Sequence, residues 1–479
     1  MSPGSEATNV RVKHPRVKRP LRLRNRPKRQ LVPSSMPYSI LWTANHAVFL
    51  ACLGVHSVLA TSTFWLATRY LRDRRVALAL EAQLLSRSLP TEENLPDILL
   101  QLPTFNEGGL IVRGAKAAKD LDWPPHRLHV QILDDSTDAE SRAAARSAVA
   151  ALRDAGIDAA LIARENRAGF KAGALGAGLS RSSAEFVAIL DADYVPAPDF
   201  LRNCMRAMLS DDRIGFVQAR CDYLNAGENT ITWSQQRILD AHFAVEQAAR
   251  NWSGHLMPFN GTCGMWRRAA IESAGGWSSD TLAEDLDLSY RAQLKGWRAR
   301  FLSTVAVKGE LPGTLSVWRQ QQFRWTKGFA EGGRKLLPRV WRSHLSLAQK
   351  LVSTMHLASG MLGPLAAVTV VAGAIDLLFG YGPTWASMTL LLWSLVGGAI
   401  IGPALLMVIA QTSVRGSSML YEIPRLPRVL YLQIATALGN IGGAIDALFG
   451  RASAFERTPK GAGDTLSAAP GIYATRSRS

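Results

Sequence analysis

Three groups of residues in this sequence have types and spacings that could do chemistry together. Asp191 and Asp193 stand one residue apart, directly after the apolar run 186–190. Two carboxylates so placed at the end of a buried strand can share one divalent cation. Hard oxygen donors of this kind suit Mg2+ or Mn2+, which commonly also bridge phosphate oxygens. Further along, Glu284 and Asp285 open the run 286–295, whose apolar residues have helical spacing. Gln321, Arg324 and Trp325 fall at i, i+3 and i+4, and on a helix they share one face. A metal site, a base and a polar-aromatic face suggest transfer of a group from a nucleotide-activated donor. In the glycine-punctuated loop 166–174, Arg167 and Lys171 can meet phosphate charge, or simply begin a helix. Taken singly, the other residues also have plain structural readings. Asp285 can be a helix-start acid favoured by the macrodipole, Trp325 a core residue, and Arg324 half of a surface ion pair. Their joint occurrence with the paired aspartates gives the chemical reading its weight.

The intervening elements place these groups. A strand over 97–103 ends in Thr104 to Glu107, a strand over 128–133 ends in Asp134 to Asp138, and the run 186–190 ends in Asp191 to Asp193. Helices over 110–121 and 139–155 and a short strand over 160–163 complete the alternation. Such alternation predicts a parallel sheet with helices on both faces, whose ligands sit at the carboxyl ends of the strands. Three polar clusters at three strand ends reinforce one another. Further strands are expected over 215–218 and 299–302, a helix over 240–250, and a turn-rich loop over 259–264 that includes Cys263.

The chain has 479 residues and a formal net charge of +17, with basic residues crowded into the first thirty positions. Residues 1–36 predict a disordered, solvated juxtamembrane arm rather than a nucleic-acid-binding surface, because a hydrophobic segment follows closely. The arm is too long and its apolar part too distant for a secretory signal. The expected division is a transmembrane segment over 37–70, a connector helix over 71–95 and an α/β domain over 96–335. Interfacial and transmembrane helices follow over 336–450, and a tail over 451–479. Stretches 352–380 and 385–411 are long enough to span a bilayer, whereas 429–450 carries polar residues and is expected to lie in the interface. Cys52, Cys204, Cys221 and Cys263 are scattered without metal-ligand or disulfide spacing.

Together the motifs resemble the inverting family-2 glycosyltransferases, most closely the membrane-integrated cellulose-synthase-like group. That signature runs spaced aspartate, D-x-D, T-E-D and Q-x-x-R-W. It is matched in order by Asp135, by Asp191 and Asp193, by Ala283 to Asp285, and by Gln321 to Trp325. Ala283 stands where the best-known cellulose synthases have threonine. Phe455 to Lys460 is similar to their F-x-V-T-x-K gating loop, with Arg457 in place of valine.

The resemblance implies a glycosyltransferase-A type α/β fold, a Rossmann-like mixed sheet inserted between transmembrane helices. It implies Asp285 as general base. It implies donor binding by Thr104, Glu107, Asp135 (Asp134 being the alternative), Lys171, Asp191, Gln321, Arg324, Trp325, Thr458 and Lys460. Glu284, Trp325 and Cys263 fall on the acceptor side, and Asp191 and Asp193 at a Mg2+ or Mn2+ ion. The implied activity is processive polymerisation of a β-linked polysaccharide, with UDP-glucose as the first candidate donor. The implied partners are a nucleotide-sugar donor, a growing glycan acceptor and the lipid bilayer, with no nucleic acid. The catalytic domain would be cytoplasmic, on a bacterial inner membrane. Two spans after 350, with 429–450 in the interface, would return the gating motif to that side. Cellulose synthases continue into more membrane helices, so a second copy or a partner is expected to complete any pore. The rival readings are a lipid glycosyltransferase and a non-catalytic subunit of a polysaccharide export machine.

Overall fold

A computed structural model describes residues 36–378 and 384–451. The basic arm and the motif over 455–460, with Thr458 and Lys460, lie outside the described residues.

One helix, α1 (Met36–Leu85), runs through both the expected span and the expected connector. Arg69, Arg72, Asp73, Arg74 and Arg75 cluster where the two were divided, but neither glycine nor proline interrupts the helix there, so the apolar stretch passes into a charged one without a turn. The α/β domain then follows as β1 (Ile98–Thr104), α2 (Leu110–Lys119), β2 (Leu128–Asp134), α3 (Ala139–Asp154), β3 (Asp158–Ala163), α4 (Phe170–Leu179), β4 (Phe186–Ile189), α5 (Phe200–Met208) and β5 (Ile214–Tyr223). Its second half is α6 (Thr230–Asp240), α7 (Gln247–Trp252), β6 (Gly264–Arg267), α8 (Arg268–Ser273), α9 (Glu284–Leu294) and β7 (Arg298–Gly309). The chain continues with α10 (Leu315–Arg342), α11 (Leu347–Ala358), α12 (Leu362–Leu378), α13 (Trp385–Leu392), α14 (Gly402–Val414), α15 (Met419–Glu422) and α16 (Leu426–Leu448).

The seven strands form one sheet in the order β3-β2-β1-β4-β6-β5-β7. The expectation of a purely parallel sheet fails at one strand: β6 runs antiparallel to both β4 and β5. β6 is four residues long, and its entry loop returns directly beside β4, so no crossover helix is needed. The sheet is therefore mixed, as the resemblance implied.

β1 and β4 are buried on both faces, and alternation sorts their side chains. Ile98, Leu100, Leu102, Phe186 and Ala188 face α2, α3 and α5, where they meet Ile111, Ala115, Ala145, Phe200 and Met205. Leu99, Val187 and Ile189 face the other way and meet Leu175 of α4, Ile271 of α8 and Leu288 of α9. This second core continues without interruption into Leu66 and Tyr70 of α1 and into Leu406 and Met407 of α14. The α/β domain and the apolar helices thus share one hydrophobic core.

Three helical segments among the described residues are long and apolar enough to cross a membrane: Ile40–Leu85, Leu347–Leu378 and Ser387–Val414. α16 is not among them. It packs along α10, and Tyr431, Ile434 and Leu438 stand exposed on its outer side. A fork of hydrogen bonds ties the two parts of the chain. Arg237 of α6 donates from Nε to Glu422 Oε2 at 2.8 Å and from Nη2 to Oε1 at 3.0 Å, with both side chains buried.

Candidate active site

The carboxyl ends of β1, β2 and β4 open into a cavity of about 310 Å³. Thr104, Glu107, Asp135, Lys171, Asp191, Asp193, Glu284, Asp285, Gln321, Arg324 and Trp325 all line it. Residues separated by more than two hundred positions in sequence thus meet in one cleft.

At one end, Asp135 follows β2 and is held by Arg164, whose Nε donates to Oδ1 at 2.8 Å while Nη2 donates to Oδ2. Asp134 turns away to accept from the backbone N of Ser136 at 2.9 Å and does not line the cleft, so Asp135 is the available carboxylate of the two. Arg167 lies flat over Phe105, with its guanidinium carbon 3.3 Å from the ring centroid. Thr104 and Glu107 complete this end, their side chains 3.4 Å apart. A flat cation on an aromatic ring beside a carboxylate makes a slot suited to a planar heterocycle.

In the middle, the Asp191 carboxylate receives Lys171 Nζ at 2.5 Å, and Lys171 also donates to the carbonyl of Gly261 at 3.0 Å. Thr262 Oγ1 accepts from the backbone N of Asp191 at 2.9 Å. Burial alone would lower Lys171, but Asp191 and then Glu284 outweigh it and hold the ammonium charged. Asp193 is buried, and its Oδ2 accepts from the backbone N of Glu310 at 3.1 Å. Glu310 follows β7, which runs well past the end its sequence suggested. Arg113 pairs with its Oε1 at 2.5 Å, while its buried Oε2 has no protein partner. Among the described residues no cluster of three His, Cys, Asp or Glu side chains could hold a metal alone. Asp191 and Asp193 both line the cleft, and two hard carboxylates suit a divalent ion that takes its remaining ligands from phosphate and water.

At the other end, α9 begins at Glu284 and Asp285. Burial first, and then the adjacent Glu284 carboxylate, push Asp285 up to about 7, although Leu286 N donates to its Oδ1 at 2.7 Å. Burial raises Glu284 as well, with Lys171 opposing the shift. Gly261, at φ +75°, lies directly against this pair. A β-carbon there would stand 2.9 Å from Asp285 Oδ2 and 3.5 Å from Lys171 Nζ. Gln321, Arg324 and Trp325 are on one helix, α10, as their spacing implied. Trp325 is 37% exposed and meets Trp318 edge-on at 6.1 Å, so it is a cleft residue and not core. α10 approaches the start of α9 through small residues: a β-carbon on Gly328 would lie 3.0 Å from that of Ala283. Glu331, one turn on, accepts from the backbone N of Leu282 at 2.8 Å.

Cys263 corrects one expectation. It is fully buried at positive φ behind Thr262, its thiol packed in the core, and it is absent from the cleft wall. Gly261 and Thr262 are the residues this loop presents instead. Sequence reasoning also missed Arg113, Arg164, Glu310 and His242. Each is a lone polar residue in a helix or a loop, and only the fold shows what it faces.

Fold and site together define a glycosyltransferase-A type α/β domain joined to helices of membrane-spanning length. Residues 186–411 match the family model described as glycosyl transferase family group 2. The chain is similar to glucomannan 4-beta-mannosyltransferase 2 of Arabidopsis thaliana, at 42% identity over 253 residues, which is 52% of this chain and 47% of that protein. It is likewise similar to glucomannan 4-beta-mannosyltransferase 1 of Oryza sativa subsp. japonica, at 42% identity over 251 residues, covering 52% and 48%. A solved mannosyltransferase from Pyrobaculum calidifontis, in complex with GDP-Man and Mn2+, shares the fold with a TM-score of 0.52 at 18% identity, over 83% of this chain and 100% of that one. Over residues 186–411 the chain matches the family-2 glycosyltransferases, and over about half its length it is similar to the glucomannan 4-beta-mannosyltransferases named above. It spans about half the length of the curated relatives it matches.

Proposed function

We propose that this protein is a membrane-integrated, inverting β-glycosyltransferase that extends a β-linked mannan or glucomannan chain, processively, from a nucleotide sugar. The observation that carries the reading is the meeting of Asp285, the Asp191–Asp193 pair and the Gln321–Arg324–Trp325 face in one cleft. The donor we propose is GDP-mannose, in place of the UDP-glucose favoured by the motifs alone. The relatives named for mannosyl transfer and the fold neighbour solved with GDP-Man support that change.

The geometry supports the following roles. The slot of Phe105, Arg167 and Asp135 takes the nucleobase. Lys171 and Arg324 face the diphosphate. Asp191 and Asp193 would hold Mg2+ or Mn2+, which supplies charge neutralisation to the departing diphosphate. Asp285 takes the proton of the acceptor hydroxyl as it attacks the anomeric carbon. A carboxylate raised to about 7 is a better base than an ordinary aspartate, and about half of it is ionised at pH 7. Trp325 offers a flat apolar face to a sugar ring, and Glu284 sits beside the acceptor. The apolar helices anchor the enzyme, with the catalytic domain on the cytoplasmic side, where sugar nucleotides are made.

The test uses the full chain in lipid nanodiscs with Mg2+ or Mn2+ and labelled GDP-mannose, GDP-glucose or UDP-glucose. Labelled mannose in a lipid-insoluble polymer, lost with EDTA and restored by metal, is the expected result. Label only in the organic phase would point to a lipid acceptor. No transfer from any donor would refute the reading.

A further inference from the structure

Between α6 and α7 the chain leaves α-helical geometry. Residues Ala241–Glu246 form a wider turn with i→i+5 hydrogen bonds. Such turns are rare, and they frequently mark functional sites because they redirect side chains that a regular helix would not present. Here the turn places His242 and Phe243 in the wall of the cleft. His242 also lines a second cavity of about 240 Å³, bounded by α1, α11 and α12.

We propose that His242 contacts the acceptor glycan, and that Glu246 and Arg250 are positioning residues that fix its ring. This deepens the proposed transferase reading and rests on it. His242 Nδ1 and Glu246 Oε2 are 3.2 Å apart, and Arg250 Nη2 donates to the same oxygen at 3.1 Å. The three residues follow one another at steps of four, so one carboxylate is clamped between an imidazole and a guanidinium. Burial would push Glu246 up, but His242 and Arg250 outweigh it and hold it at about 2. A permanently charged carboxylate at Nδ1 keeps the proton on that nitrogen and leaves Nε2 as the atom offered to a ligand. The Arg250 side chain is only 6% exposed, and its Nε and Nη1 have no protein partner.

Location assigns the ligand. Tyr223, Leu239, Leu311 and Trp318 form one apolar cluster, with Phe243 packed against it, and Trp318 abuts Trp325. His242 shares the second cavity with His356, and His356 meets Phe329 of α10 edge-on at 5.3 Å, one turn from Trp325, so His242 belongs to the Trp325 end of the cleft. What binds at that end is the group that receives the sugar. An imidazole nitrogen of fixed tautomer, beside an indole face, suits a ring bearing hydroxyls. It would accept a hydrogen bond from one of them and so select its orientation.

The test compares wild type with His242→Phe, His242→Gln and Glu246→Gln, as full chains in nanodiscs. The readouts are KM for soluble β-linked manno-oligosaccharides and Kd for GDP. Wild-type transfer is read first, and its absence would overturn the transferase reading itself. Given transfer, His242→Phe should raise the acceptor KM about tenfold, as expected for one lost hydrogen bond at a buried site, with GDP affinity unchanged. His242→Gln should restore part of the loss. Glu246→Gln should fall between, because the ring remains but its tautomer is no longer imposed. An unchanged acceptor KM in His242→Phe, or an equal loss of GDP binding, would overturn the proposal. If the Phe variant does not fold, the two near-isosteric Gln variants decide by the same criteria.

Discussion

The state of Asp285 makes the sharpest prediction, because its environment sets where the enzyme switches on. An aspartate in water loses its proton near pH 4. Here burial, and then repulsion from Glu284, move that point up to about 7. The sign follows directly. Raising the value prolongs the protonated form, and a protonated carboxyl cannot accept the acceptor's proton. Turnover should therefore fall as pH drops through 7. At pH 6 only about one tenth of the molecules would carry the base form, and at pH 5 about one hundredth. The plot of log kcat/KM for the donor, which reports ionisations of the donor-free enzyme, should have unit slope below pH 7 and a plateau above it. Glu284→Gln removes the second cause while leaving the burial. A like charge this close is worth about one pH unit or more, so the limb should move at least that far towards acid, and the variant should retain more relative activity at pH 6 than wild type. The measurement is initial-rate transfer of labelled mannose between pH 5 and 9, in buffers of constant ionic strength. A limb centred near pH 4, a flat profile, or a Glu284→Gln limb displaced towards alkali would refute this account of the base.

Three other substitutions test separate parts of the argument. Asp285→Asn keeps the shape but removes the base, so transfer should fall by about 10²–10⁴-fold while GDP binding by calorimetry changes little; lost GDP binding would assign Asp285 to the donor instead. Gly261→Ala places a β-carbon 2.9 Å from Asp285 Oδ2 at φ +75°. It should cost about 1–2 kcal/mol of stability for the left-handed backbone and depress kcat by displacing Asp285, measured by thermal unfolding beside kinetics. Arg237→Met leaves Glu422 as a buried charge. It should destabilise the protein by about 3–5 kcal/mol, and adding Glu422→Gln should recover part of that in the same unfolding assay.

The first half of the α/β domain was legible because its signals are local. β1, β2 and β4 are apolar runs that end in acidic or hydroxyl residues, and Asp138 at the start of α3 caps it by accepting from Ser141 N at 2.7 Å. The Gln321, Arg324 and Trp325 face was legible for the same reason, since helical spacing is written in the sequence. The second half was less so. β6 is too short for a periodicity and takes its direction from the strands beside it. β7 was cut short at residue 302, because Ser303 and Thr304 interrupt the apolar run where the pairing with β5 shifts register. That truncation hid Glu310. α5 has an amphipathic pattern short enough to pass for a connection. Cys263 was placed on the acceptor side by the resemblance, and only its neighbours Gly261 and Thr262 line the cleft. The loop's positive-φ backbone, which turns the thiol inward, has no signature in a cysteine.

The departure at Ala283 shows how the site is assembled from parts that sequence treats as independent. Its methyl group points at α10, where Gly328 has no side chain to oppose it. Gly332 repeats the arrangement one turn later against Leu286, where an added β-carbon would meet Leu286 Cδ2 at 3.0 Å. These contacts let α10 lie close along the residues flanking Asp285, and Glu331 then fastens the loop through the backbone of Leu282. Arg324 is one turn before Gly328, so the depth of the small-residue contact sets how far Arg324 and Trp325 reach over the base. A larger residue at 283 is compatible with the same chemistry only where the facing helix stands further off. Ala283 and Gly328 are therefore best read as one feature, a close approach of helix to loop that fixes the distance between Asp285 and the Arg324–Trp325 face.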